Sequence, residues 1–83
     1  MVDPKLETLL HVAEVGSFTQ AAKILSLTQP AVSQHIKQLE KELGIRIFNR
    51  SEGQLHLTTE GELVLGYAKR ARILYQNLQQ SLS

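Results

Sequence analysis

Two residues, Ser26 and Leu27, are all that separate two stretches of helical periodicity. A connection that short makes the flanking helices pack against each other as a unit. Upstream, Ser17-x-x-Gln20 fits a capping box, and Phe18, Ala21, Ala22 and Leu25 supply the apolar side of a short helix. The alanine pair lets another helix come close, and Leu27 is expected to plug the corner. Downstream, Thr28 is an N-cap, because its hydroxyl can accept from a free N–H of the first turn. Pro30 falls in that turn, where a missing N–H costs nothing. Gly44 closes the helix in a left-handed conformation, with Ile45 placed to pack over the last turn. Val32, Ile36, Leu39 and Leu43 form one apolar stripe at steps of four and three. The opposite face carries Pro30, Gln34, Lys37 and Lys41, flanked by Ser33 and Gln38. Amides, a hydroxyl and lysines with no carboxylate at the centre suit base edges and phosphates.

Composition narrows the chemistry. A chain of 83 residues is one small domain and buries only about 60% of its unfolded surface. The absence of cysteine excludes disulfides and thiolate metal sites. His11, His35 and His56 form no i, i+4 pair and have no acidic partner that completes a triad, so they read as surface or packing residues. No catalytic residue, metal site or cofactor is expected, and neither is an enzyme. No apolar run approaches the ~18 residues of a membrane span, and the opening MVDPKLETLL lacks the pattern of a signal peptide. A cytoplasmic protein is the expectation. The net charge of +1 hides an uneven distribution: residues 23–50 hold five Lys or Arg against two Asp or Glu, and residues 67–83 hold three against none. Residues 1–22 hold one against three, and residues 51–66 none against three. The basic excess surrounds the polar-faced helix and the C-terminal segment.

The remaining elements follow from pattern. Asp3-Pro4 opens a first helix, which Leu6, Leu9, Leu10 and Ala13 stripe and Gly16 ends, with Glu7, His11 and Glu14 facing out. After Gly44 the period changes. Ile45 to Arg50 and Leu55 to Thr58 flank the turn cluster Ser51-Glu52-Gly53-Gln54, which predicts a β-hairpin. A hairpin after a helix-turn-helix is the wing of a winged-helix domain, and Arg50 beside its tip can reach a phosphate or a minor groove. Pairing with Glu52 is the plainer alternative for that arginine. From residue 59 on, a long helix is expected, with Thr59-x-x-Glu62 as its capping box. Val64, Ala68, Ala71, Tyr75, Leu78 and Leu82 alternate at steps of four and three, a coiled-coil seam of ~3.5 residues. Leu63, Tyr67 and Leu74 widen it and are expected to pack back on the domain. At ~1.5 Å per residue this helix overhangs so small a body, and a second copy of the same helix is the simplest cover.

The run SFTQAAKILSLTQPAVSQHIKQLEKELGIRIFNR, followed by LTTEG, closely resembles the N-terminal domain of LysR-type transcriptional regulators. The pair Ala21-Ala22, the run Gln29 to Ser33, Leu39-Glu40, Leu43-Gly44, Phe48-x-Arg50 and Leu57-Thr58-x-x-Gly61 stand at that family's spacing. The resemblance implies a mainly α, bacterial winged helix-turn-helix with a three-helix core, a short hairpin wing and a long C-terminal linker helix. It implies a homodimer on an inverted repeat in double-stranded promoter DNA. A small-molecule effector would act only through a domain missing from this chain. By matching position, Gln29, Pro30, Ser33 and Gln34 become base-facing candidates. Ala21, Thr28, Lys37, Arg50 and Thr58 become candidates near the DNA backbone or minor groove. Many relatives have arginine where this chain has Gln34.

The domain is therefore expected over residues 1–58, with a linker and dimerisation helix over 59–83. The expected function is sequence-specific DNA binding for transcriptional regulation. A winged helix of another regulator group shares the scaffold. A protein-interaction module on the same scaffold is the rival from a different class, and steep salt dependence separates DNA binding from it.

Overall fold

Residues 3–83 are described by a computed structural model. Four helices and one hairpin follow in order: α1 Pro4–Val15, α2 Phe18–Leu25, α3 Gln29–Leu43, β1 Phe48–Ser51, β2 Gln54–Leu57 and α4 Thr59–Leu82. Each helix begins where a side-chain oxygen can take an otherwise free N–H. Asp3 accepts from Lys5 at 2.8 Å, Ser17 from Gln20 at 3.2 Å, Thr28 from Ala31 at 3.2 Å and Thr58 from Gly61 at 2.8 Å. Thr58, not Thr59, therefore caps α4. Both threonines have an acceptor-ready hydroxyl, but only Thr58 also donates, to the Arg46 and Ile47 carbonyls. That second bond fixes the start of the helix.

α2 and α3 meet through Ser26, which takes a left-handed φ of 57°, while Leu27 donates its N–H to the Ala22 carbonyl at 2.9 Å. Leu27 closes the corner through its backbone. Its side chain stays 39% exposed and plugs less than expected. α1 packs against α2, α3 and α4, so its buried face is wider than one stripe. Thr8 and Val12 join Leu9 and Leu10 in the core, and Glu7 and His11 are half-buried instead of facing out. The buried Thr8 hydroxyl is satisfied by His35 Nδ1 at 2.7 Å, which makes that histidine a packing residue. Val32, Ile36 and Leu39 carry the core face of α3, but Leu43 is 50% exposed.

Beyond Gly44 the chain runs through fully buried Ile47, whose N–H is taken by the Glu40 carboxylate at 2.8 Å. The ladder therefore starts at Phe48, later than the β-branched run beginning at Ile45 suggests. β1 and β2 pair antiparallel with Phe48 opposite Leu57 and Arg50 opposite Leu55. Glu52 and Gly53 between them both have positive φ, 53° and 74°, as a type I′ turn requires. The architecture is a winged helix-turn-helix, mainly helical, with α1–α3 as its core and the hairpin as its wing.

α4 crosses this body at close range. A Cβ placed on Gly61 would overlap the Ile47 carbonyl oxygen, so only glycine permits the approach. Seven residues on, Ala68 is fully buried. The helix has 24 residues, about 36 Å at ~1.5 Å each, in a molecule measuring 46 × 27 × 20 Å.

Candidate nucleic-acid interface

Register places Arg50 on the same side of the hairpin as Phe48, since alternate strand residues share a face. Phe48 is buried and stands edge-on to Phe18, with ring centroids 5.9 Å apart at 73°. Arg50 follows it inward and sets its guanidinium 6.0 Å from the Phe18 ring centre. A cation near an exposed aromatic face gains about 0.5–1 kcal/mol, enough to bias the rotamer toward the cleft between wing and helices. Among the described residues Arg50 forms no ion pair, with Glu52 or otherwise.

The cleft has two parts, with Arg50 between them. One is polar and is lined by Ser17, Phe18 and Thr19 from the start of α2, Gln29 from the start of α3, and Arg50, Gly53 and Gln54 from the wing. The other runs along α3, where Ser33 and Lys37 face Asn49 and Arg50. Gln29, Ser33 and Lys37 are spaced by four and so form one ridge of α3. Gln29 and Lys37 are exposed and Ser33 half-buried. Pro30 and Gln34 lie exposed further round the outer face, and Thr28 is exposed at the cap. Glu40 also borders the α3 side, but its carboxylate is engaged by Ile47 N–H.

Two of the expected contacts are placed differently. Ala21 is fully buried between helices, so its side chain belongs to the core. Thr58 is half-buried, with its hydroxyl donating to Arg46 or Ile47 carbonyl oxygen and accepting from Gly61 N–H. Its visible role is to join wing to helix. The cleft also contains Ser17, Thr19 and Gln54, which the sequence reading did not place among the DNA contacts. The paired hydroxyls at the start of α2 were the available signal.

The family model described as bacterial regulatory helix-turn-helix protein, lysR family, matches residues 4–62. The chain belongs to this family. A LysR-type relationship agrees with the similarity to the uncharacterized HTH-type transcriptional regulator YxjO of Bacillus subtilis. That protein is 49% identical over 78 residues, covering 94% of this chain and 27% of the relative. The chain thus spans about a quarter of the length of the curated LysR-family relatives it matches. Among solved structures, that of the CbnR DBD–DNA complex superposes with a TM-score of 0.85 at 31% identity, over 93% of this chain and 88% of that one. A BenM DBD complex with catB site 1 DNA has a TM-score of 0.79 at 36% identity, over 94% and 84%. These family members are transcriptional regulators. No helix among the described residues is long and apolar enough to cross a membrane, and no cluster of metal-ligating side chains is found among them.

The expected seam of α4 divides. Ala68 is fully buried against the domain's own core, with Val64 packed beside it, and Ala71 and Tyr75 are half-buried. Leu78 and Leu82 are exposed, together with Leu63, Tyr67 and Leu74. Leu63, Tyr67 and Leu74, expected to pack back, are instead left open, while Gly61 and Ala68 are the buried positions of α4.

Proposed function

We propose that this chain is the DNA-reading part of a transcriptional regulator acting on chromosomal DNA in the cytoplasm, with no catalysis of its own. α3 lies in the major groove and the wing reaches the adjacent minor groove. The observation that carries this reading is the alignment of Gln29, Ser33 and Lys37 along one ridge, facing Arg50 across an open cleft. The Gln29 amide can pair with adenine N6 and N7, while Lys37 and Arg50 suit phosphates. A small-molecule effector acts through a separate domain outside this chain.

A dimer on an inverted repeat is part of the same proposal. The exposed stripe Leu63, Tyr67, Leu74, Leu78 and Leu82 is the face that supports it. Antiparallel two-fold pairing about the middle of α4 sets Leu63 against the partner's Leu82, Tyr67 against the partner's Leu78 and Ala71 against the partner's Leu74. The same register sets Lys69, Arg70 and Arg72 against uncharged positions. The domain covers residues 1–58 and the dimerisation helix 59–83.

The test is a salt series with wild type, Gln29→Ala and Arg50→Ala on a selected duplex and on random DNA. Wild-type affinity falls steeply with salt, by a log–log slope of about −0.9 per phosphate contact. Gln29→Ala costs about 1–3 kcal/mol on the selected site and little on random DNA. Arg50→Ala lowers the slope by about one unit. A wild type whose binding ignores salt overturns the proposal and favours a protein partner.

A further inference from the structure

Glu52 stands where both backbone and charge disfavour it. It occupies the first central position of the hairpin turn at φ 53°, a region that Asn, Asp and Gly hold far more readily. Most other carboxylates in the molecule have a structural task. Asp3 caps α1, Glu40 accepts from Ile47 N–H, Glu42 pairs with Lys5, and Glu60 and Glu62 lie in the first turn of α4, where the helix dipole favours acids. Glu52 is exposed and, among the described residues, makes no side-chain hydrogen bond or ion pair, even with Arg50 two residues away. Stability does not explain it. Its position does point to an effect on binding: Glu52 tips the element whose other charged side chain, Arg50, is turned into the cleft.

We infer that Glu52 sets the flanking-sequence preference of the wing, opposing the pull of Arg50 toward A·T-rich minor grooves. This rests on the DNA-binding reading above. An A-tract has a narrow minor groove with enhanced negative potential, which attracts arginine and repels a carboxylate by the same field. A G·C pair presents the only donor on that groove's floor, the guanine N2 amino group, and a carboxylate can accept from it. With both charges on one hairpin, the wing tolerates either kind of flank. Without Glu52, Arg50 acts alone and A-tract flanks are favoured.

The experiment uses the 83-residue chain and two duplexes sharing one inverted repeat recovered by selection from random DNA. One has A-tract flanks under the wings and the other alternating G·C. Wild type binds both with similar affinity. Glu52→Gln, which removes only the charge, shifts the ratio toward the A-tract duplex by about fivefold, because the carboxylate it removes opposes the stronger negative potential of the narrow groove and accepts from guanine N2 on the other duplex. Glu52→Asn, which also suits the turn, gives the same shift, and Glu52→Asp keeps the wild-type ratio. An unchanged ratio in Glu52→Gln, or an equal gain on both duplexes, overturns the inference while leaving DNA binding intact. Wild-type binding that is absent or indifferent to salt overturns the DNA-binding reading itself, and this inference with it.

Discussion

α3 and α4 are both long, amphipathic and capped by threonine, yet they use their apolar residues in opposite ways. α3 buries large side chains, Val32, Ile36 and Leu39, and shows solvent a polar ridge. α4 buries only Gly61 and Ala68, and leaves Leu63, Tyr67, Leu74, Leu78 and Leu82 open. Distance of approach is the cause. α3 packs against α1 and α2 through large side chains, which interdigitate. α4 comes so near to the Ile47 backbone at Gly61 that only glycine fits there. A helix that meets the body through Gly61 and Ala68, with Val64 and Leu65 packed beside them, has Leu63, Tyr67 and Leu74 free for a second surface.

The largest effect should come from closing that gap. Gly61→Val forces a branched side chain into the Ile47 carbonyl, which is backbone and cannot turn aside. We expect a loss of about 3 kcal/mol or more, at the upper end of overpacking, read as a fall in the urea midpoint. A loss below that of an ordinary surface change would mean that α4 does not depend on the close crossing.

The two faces of α4 should next respond differently. Ala68→Leu overpacks the core and costs about 1–3 kcal/mol. Leu74→Gln with Leu78→Gln removes only exposed side chains and should leave monomer stability within about 0.5 kcal/mol per site. The double variant should instead sediment as a monomer at concentrations where wild type is a dimer. A double variant that remains dimeric removes this face from the interface, and one that unfolds removes the distinction between the faces.

How much of this was legible in the sequence divides along the same line. The helix-turn-helix was legible because its signals are local: Ser17, Thr28 and Gly44 act on backbone groups within a few residues of themselves. The hairpin was legible from its turn cluster, although Ile47 joined the core and not the ladder because Glu40, seven residues back, takes its N–H. The polar ridge of α3 needed only helical geometry. The inward face of α4 was not legible from periodicity. The stripes through Leu63 and Val64 are neighbours on one helix, and both have the right period. Which one turns inward depends on Ile47, fourteen residues from Gly61 and outside any local pattern. Gly61 and Ala68 carried the clue, as small residues seven apart. Phe18 as the platform for Arg50 was hidden likewise, by a contact between α2 and the wing.

The caps give a smaller contrast. Thr28 accepts one N–H at an exposed helix start. Thr58 accepts one and also donates to the chain ahead of β1. Thr28→Ala should cost about 0.5–1 kcal/mol and Thr58→Ala about 1–2 kcal/mol, within the range for lost caps. Equal costs in the denaturant midpoint would show that the second bond of Thr58 contributes nothing.

The smallest effect concerns how the far end of α3 is held. Lys5 on α1 donates to the Glu42 carboxylate at 2.7 Å, with Asp3 3.9 Å away. The hydrogen bond to Glu42 holds the Lys5 pKa above its ordinary value, against a smaller lowering by desolvation, with the charges of Asp3 and Glu42 adding to the rise. A pKa raised on folding means the folded state binds this proton more tightly. The resulting stabilisation is complete below the ordinary lysine pKa and is lost as pH rises through the raised one. Glu42 is exposed and Lys5 only half-buried, so solvent screens the pair and the loss should be slight. Alkaline pH alters the charge of the chain well beyond this one pair, so wild type alone cannot isolate it. Glu42→Gln shares that background and lacks the charged partner. The difference in urea midpoint between wild type and Glu42→Gln should be constant at neutral pH, shrink above the ordinary lysine range, and stay smaller when salt is added. A difference that does not change with pH would leave α3 fixed at this end by Leu39 and the Gly44 cap alone. Its anchorage would then resemble that of α4, set by backbone approach and burial with no contribution from surface charge.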